Sequence, residues 1–168
     1  MKLFFIAFLM LPVFGYSQND SMPHLYPNII GDIEFDDKLD KKDFDLCGET
    51  FKYSYQYFSG GLEYVGEKIA IETEFKKKYN PKIVKIETGL VRIRFIVNCN
   101  GNTDRFRIIA MDEYYNDKVF DKSITDQLLE ITKDLKGWKV KKYKDFGITY
   151  YQYLIFKIAN GQIIEILP

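Results

Sequence analysis

Residues 90–107 read LVRIRFIVNCNGNTDRFR. Two alternating runs flank an Asn-Gly pair, the pattern of a β-hairpin closed by a two-residue type I′ turn. With Asn100 and Gly101 at that turn, Phe95 faces Phe106, Ile93 faces Ile108 and Val91 faces Ala110. These side chains form one apolar face, with Asp104 opposite Val97 at its wet end. The other face collects Arg92, Arg94, Arg105 and Arg107, with Arg94 directly opposite Arg107. Side chains alternate between the faces of a strand, so a slip of one residue would bury the arginines. The register is therefore strongly specified.

On the N-terminal side of the hairpin, Phe51, Tyr53, Tyr55 and Tyr57 alternate as in a strand, and Gly60-Gly61 breaks the pattern. Over 62–79 the period lengthens to that of a helix. Val65 and Ile69 share one row, and Ile71, Phe75 and Tyr79 share the next. Lys76, Lys77 and Lys78 lie near its end, where cations favour the helix dipole, and Asn80-Pro81 stops it. On the C-terminal side, Ile124, Leu128, Ile131 and Leu135 form the apolar stripe of a second helix over 121–136, with Ser123 and Asp126 as a capping box. Gly137-Trp138 leads to a strand at 148–158. A second Asn-Gly pair, Asn160-Gly161, then turns into a last strand, QIIEILP. The order predicts an α+β fold: an antiparallel sheet with two helices packed on one face and an extra C-terminal strand.

The first 20 residues, MKLFFIAFLMLPVFGYSQND, carry Lys2, an apolar run over 3–14, and Gly15 and Ser17 as small residues. This is the pattern of a secretory signal peptide cleaved before Gln18. The run is short for a bilayer span, which needs about 20 residues, so no stable span is expected in the mature chain. Three regions result: a signal peptide at 1–17, an acidic arm at 18–50 and an α+β domain at 51–168. An exported protein of the periplasm or cell envelope is expected. In an oxidising compartment the even cysteine count favours a disulfide between Cys47 and Cys99, with two inert free thiols as the alternative.

Lys+Arg and Asp+Glu balance at 24 each, so no global field steers the chain toward nucleic acid. One histidine, His24, leaves little room for histidine-based catalysis or metal binding. Asp112 and Glu113, beside Tyr114 and Tyr115, read as a solvated loop. No catalytic, cofactor-binding or metal-binding residue is expected, and the chain is expected to be a monomer or weak dimer. The stretch 32–45, DIEFDDKLDKKDFD, holds seven acids against three lysines but lacks the order of a calcium loop, and reads as a solvated acidic arm. Its Ile33, Phe35, Leu39, Phe44 and Leu46 neighbours are positioned to dock it on the domain.

The segments FSGGLEYVGEKIAIETEFKKKYNP (58–81), GLVRIRFIVNCNGNTDRFRI (89–108) and ITKDLKGWKVKKYKDFGITYYQYLIFKI (131–158) together resemble the C-terminal domain of TonB, the energy transducer of outer-membrane uptake. The resemblance covers about 60% of the chain. It implies a non-enzymatic module of the cell envelope, linked to TonB-dependent transport, that binds an extended segment of another envelope protein. In that family the last sheet strand recruits such a segment by strand addition, which points here to 148–158. The chain departs from the family in its proline-poor arm, in Val140 where the family has proline after Trp-Lys, and in the extra strand after 158. A divergent transducer that keeps the N-terminal run as a membrane anchor is the second reading.

The four arginines need a separate account, since like charges across a hairpin repel mildly. Tyr150, Tyr151 and Tyr153 on the next strand can stack on them. Arg92, Arg94, Arg105, Arg107, Tyr151 and Tyr153 are thus the candidate protein-binding residues. An acidic segment is the expected partner, the chain's own 32–45 stretch among the candidates.

Overall fold

The structure, a computed structural model, describes residues 33–47, 62–143 and 145–167. The signal peptide expected at 1–17, His24 and the strand expected at 51–57 lie outside these residues. The elements are α1 (Glu67–Lys78), β1 (Gly89–Val97), β2 (Thr103–Met111), α2 (Lys122–Asp134), β3 (Lys141–Tyr143), β4 (Phe146–Ile148), β5 (Tyr150–Ala159) and β6 (Gln162–Leu167). Four strands form an antiparallel sheet in the order β2-β1-β5-β6, and β3 pairs with β4 in a small second sheet. The α+β layout and the extra C-terminal strand are as expected. Ile33–Pro168 forms one compact unit.

Both helices cover one face of the sheet. Ile71 and Phe75 of the first helix, with Tyr79 at its C-terminal cap, and Ile124, Leu128 and Ile131 of the second, with Leu135 at its cap, meet Val91, Ile93, Phe95, Leu154, Phe156 and Ile158 in one buried cluster. Helix α1 is shorter than its periodicity implied. It starts at Glu67 after Gly66, which has a left-handed backbone (φ 78°) and, as glycine, no side chain to cap the helix. Val65 and Ile69, read as a core row, are 65% and 76% exposed. The place of Val65 is taken by Tyr64, which bridges to Trp138 and sets its ring edge-on to the indole at 4.9 Å. Helix α2 is capped by Asp121, not by the expected Ser123/Asp126 box. The Asp121 carboxylate accepts from the Ser123 backbone N–H at 2.9 Å and also pairs with Lys85 at 2.7 Å. These bonds, that to Lys85 foremost, hold its pKa far below the usual carboxylate range.

The hairpin differs from expectation in two places that cancel. Its loop has three residues: Gly101 N–H bonds to the Asn98 carbonyl, and Asn98 N–H bonds to the Asn102 carbonyl. That shifts the first pairs by one residue, so Asp104 lies opposite Ile96 instead of Val97. A β-bulge then follows, with Arg105 in the left-handed region (φ 57°). One extra residue restores the register. Beyond it Arg94 pairs with Arg107, Ile93 with Ile108 and Val91 with Ala110, and the Phe95 and Phe106 rings stack at 5.1 Å. The second Asn-Gly pair does form a two-residue turn, with positive φ at both Asn160 and Gly161 between the paired Ala159 and Gln162.

Candidate functional site

The register places Arg92, Arg94, Arg105 and Arg107 on the sheet face away from the helices, and Tyr151 and Tyr153 with them. Arg92 stacks over Tyr153 at 4.8 Å and Arg94 over Tyr151 at 4.3 Å. Both contacts run diagonally between strands, because Arg94 pairs directly with Tyr153 and Ile96 with Tyr151. Tyr150, expected here too, points into the helix-side core and donates its hydroxyl hydrogen to the Lys139 carbonyl. Burial pushes the Tyr150 phenol well above its ordinary pKa.

Arg105 and Arg107 are engaged by the acidic stretch. Arg107 donates to both carboxylate oxygens of Asp40, at 2.8 and 2.7 Å, and to the Glu34 carbonyl at 2.6 Å. Arg105 donates to the Ile33 carbonyl at 3.2 Å and lies over the Phe35 ring. In return, the Lys41 backbone N–H donates to Asp104, which the register shift has turned onto this side. Ile33 is buried against Ile96 and Tyr151, with Phe44 and Leu46 packed beside them, while Phe35 and Leu39 stay exposed. The stretch read as a solvated arm is therefore docked at 33–46, and Asp40 is buried. The arginine periodicity pointed to this face; nothing marked Asp40 among seven acids, nor Asp104, as its partners.

A disulfide joins Cys47 and Cys99, with Cα atoms 6.0 Å apart, and fastens the end of this stretch to the hairpin loop. Asp45 lies beside the two sulfurs, but disulfide sulfurs offer no thiolate for a metal. The disulfide fits a protein exported from the reducing cytoplasm. No helix among the described residues is long and apolar enough to cross a membrane. The Asp112 carboxylate accepts from the Tyr114 and Asn116 backbone N–H groups, so it shapes its own turn.

Two clefts remain. The first, about 450 Å³, lies where the docked stretch meets the hairpin loop and the end of α2. Its polar groups are largely spent within the chain: Asn98 bonds to Asp45, Asn100 and Asn102, and Asp104 to Lys41. The second, about 420 Å³, runs between α1 and β6. Phe75, Tyr79 and Ile166 form its floor, and Ile164, 57% exposed, stands on its rim.

This second groove borders a sheet edge. Strand 148–158, expected to recruit a partner by its edge, is split by the structure: β4 belongs to the small sheet, and β5 lies between β1 and β6. Its edge is closed. Among the described residues the outermost strands of the four-stranded sheet are β2 and β6. Along β2, Lys118 N–H bonds to the Ala110 carbonyl and Met111 bridges to Asp117, so the chain covers part of that edge itself. Among the described residues no backbone group pairs with the outer side of β6. Comparison of the chain with protein-family models, with characterised proteins and with solved structures found no match.

Proposed function

We propose that the chain is a non-enzymatic binding module of the cell envelope, similar in layout to the TonB C-terminal domain, that takes up an extended segment of a partner protein by strand addition at β6. The observation that carries this reading is the outer side of β6, which pairs with no backbone among the described residues, beside a groove floored by Phe75, Tyr79 and Ile166. Main-chain hydrogen bonds to an edge supply affinity in strand addition, and a neighbouring groove for alternate side chains supplies selectivity. The strand is short, and a bulge sets Ile164 out of register. Such an edge is a poor template for open-ended aggregation yet can still accept a short segment. The disulfide supports residence in an oxidising compartment.

The test is site-specific photo-cross-linking in the full chain, expressed in cells that export it. A photo-reactive residue at position 164 is expected to capture an envelope protein, and one at position 109 on the β2 edge is not. No product at 164, or equal products at both, overturns the reading.

A further inference from the structure

The lysines of α1 differ in what holds them. Lys68 lies 3.6 Å from Glu72 and 4.0 Å from Glu165, so the two acids lining the groove are both met by one internal cation. Lys78 is held by Glu74 at 3.3 Å and Asp134 at 3.4 Å, away from the groove. Lys76 lines the groove and, among the described residues, has no carboxylate within ion-pair distance. It stands one helical turn beyond Glu72, toward Tyr79, whose hydroxyl bonds to the Gly161 carbonyl beside Gln162. The groove is thus electrostatically asymmetric. At the Glu165 end its charges are neutralised within the chain, and at the Gln162 end it offers a cation above an apolar floor.

We infer that the segment added to β6 carries an aspartate or glutamate side chain, placed to meet Lys76, beside an apolar residue that packs on Phe75 and Tyr79. This rests on the reading of β6 as the recruiting edge and specifies the chemistry of what is recruited. A carboxylate at the Lys76 end completes the groove charge that has no partner among the described residues. A lysine or arginine there meets a like charge, and such juxtapositions reject wrong partners. The apolar floor disfavours a uniformly acidic segment, which would bring carboxylates against Phe75, Tyr79 and Ile166.

The experiment uses the full mature chain and three labelled hexapeptides of alternating apolar and polar residues, alike except for Glu, Gln or Lys at one central polar position. Binding is read by fluorescence anisotropy, and its site by amide chemical shifts in β6. The Glu peptide is expected to bind about fivefold more tightly than the Gln peptide, the upper range for an exposed ion pair. In Lys76→Glu the order is expected to reverse in favour of the Lys peptide, with an unchanged circular dichroism spectrum. Shifts in β6 with equal affinities for all three peptides overturn this inference and leave the proposed function standing. No shift in β6 with any peptide overturns both. Equal binding of all three peptides that is lost when their C-termini are amidated also overturns the inference, because the chain-end carboxylate is then the group that is read.

Discussion

Arg107 grips Asp40 with both ends of its guanidinium, at 2.8 and 2.7 Å, across 67 residues of sequence. One Asp40 oxygen also accepts from the Asp36 backbone N–H at 2.8 Å, and the carboxylate is fully covered while the Arg107 side chain keeps 26% of its exposure. A buried carboxylate with its acceptors satisfied is stable; the same group with its partner removed is not. Asp40→Asn keeps the shape and removes the charge, and is expected to cost about 2 kcal/mol, the range for hydrogen bonds to charged groups. Chemical denaturation at neutral pH checks this. The pair also has a pH signature. Hydrogen bonds from Arg107, followed by the Asp36 backbone and the positive field of Arg107 and Arg105, outweigh burial and hold the Asp40 pKa below its ordinary value. The folded state then binds this proton less readily than the unfolded chain, so the contribution is fully present above about pH 4 and fades as pH falls through the lowered value. The stability gap between the parent and Asp40→Asn is expected to be constant from pH 7 to 5 and to narrow below 4.

The disulfide sits seven residues after Asp40 and closes a separation of 52. In the chain-entropy account such a link stabilises by on the order of 4 kcal/mol. Replacing both cysteines, Cys47→Ser with Cys99→Ser, is expected to lower stability by up to that amount. A double-mutant cycle gives the sharper outcome. Without the link the docked stretch can detach locally, so Asp40→Asn is expected to cost less than about 1 kcal/mol in the serine background. Full additivity would mean that the ion pair holds the stretch in place without help from the disulfide.

The fold was legible wherever alternation and turn chemistry coincided. The hairpin pairs at Val91, Ile93 and Arg94 follow from the sequence pattern, although the three-residue loop and the bulge at Arg105 do not. Their effects on register cancel, and burial of Phe95 and Ile93 on one face allows no other outcome. Helical period alone could not tell which of two adjacent apolar rows on α1 lies inside. Ile71 and Phe75 do, and Ile69 does not. The arginine and tyrosine face could be read because its members recur at spacing two. Its acidic partner could not, since Asp40 is distinguished from six neighbouring acids only by tertiary contact. The groove was invisible for the same reason: Phe75 and Ile166 are brought together from helix and strand. Only the second Asn-Gly turn hinted that a strand after 159 would form the sheet edge.

That turn can be tested at its two residues. Gly161 has φ 74°, and a Cβ built there would lie 2.7 Å from the Lys85 carbonyl oxygen and 2.9 Å from the Val84 side chain. Gly161→Ala therefore meets both the left-handed penalty, about 1–2 kcal/mol, and a backbone clash. It is expected to destabilise by about 2 kcal/mol or more in thermal or denaturant unfolding. Asn160 has φ 52°, a conformation asparagine tolerates and glycine adopts freely. Asn160→Gly is expected to stay within about 0.5 kcal/mol of the parent. If the two substitutions behaved alike, the turn would not be of this type.

Tyr79 links the same turn to the helix. Its hydroxyl donates to the Gly161 carbonyl at 2.8 Å, and burial pushes its pKa up to about 12. Tyr79→Phe keeps the ring on the groove floor and leaves that carbonyl without its donor, a loss of about 1 kcal/mol at neutral pH. The sign at alkaline pH follows from the raised value. The unfolded tyrosine releases its proton near pH 10, and the folded one holds it until about 12. Stability contributed by the neutral phenol is therefore intact below pH 10 and lost as pH rises from 10 to 12. Denaturant unfolding of the two proteins between pH 8 and 11.5 checks this. The parent is expected to be the more stable up to about pH 10, and its advantage over Tyr79→Phe to shrink above that point. A gap that widened with alkali would mean that the phenolate is accommodated in the fold and that burial does not govern this site.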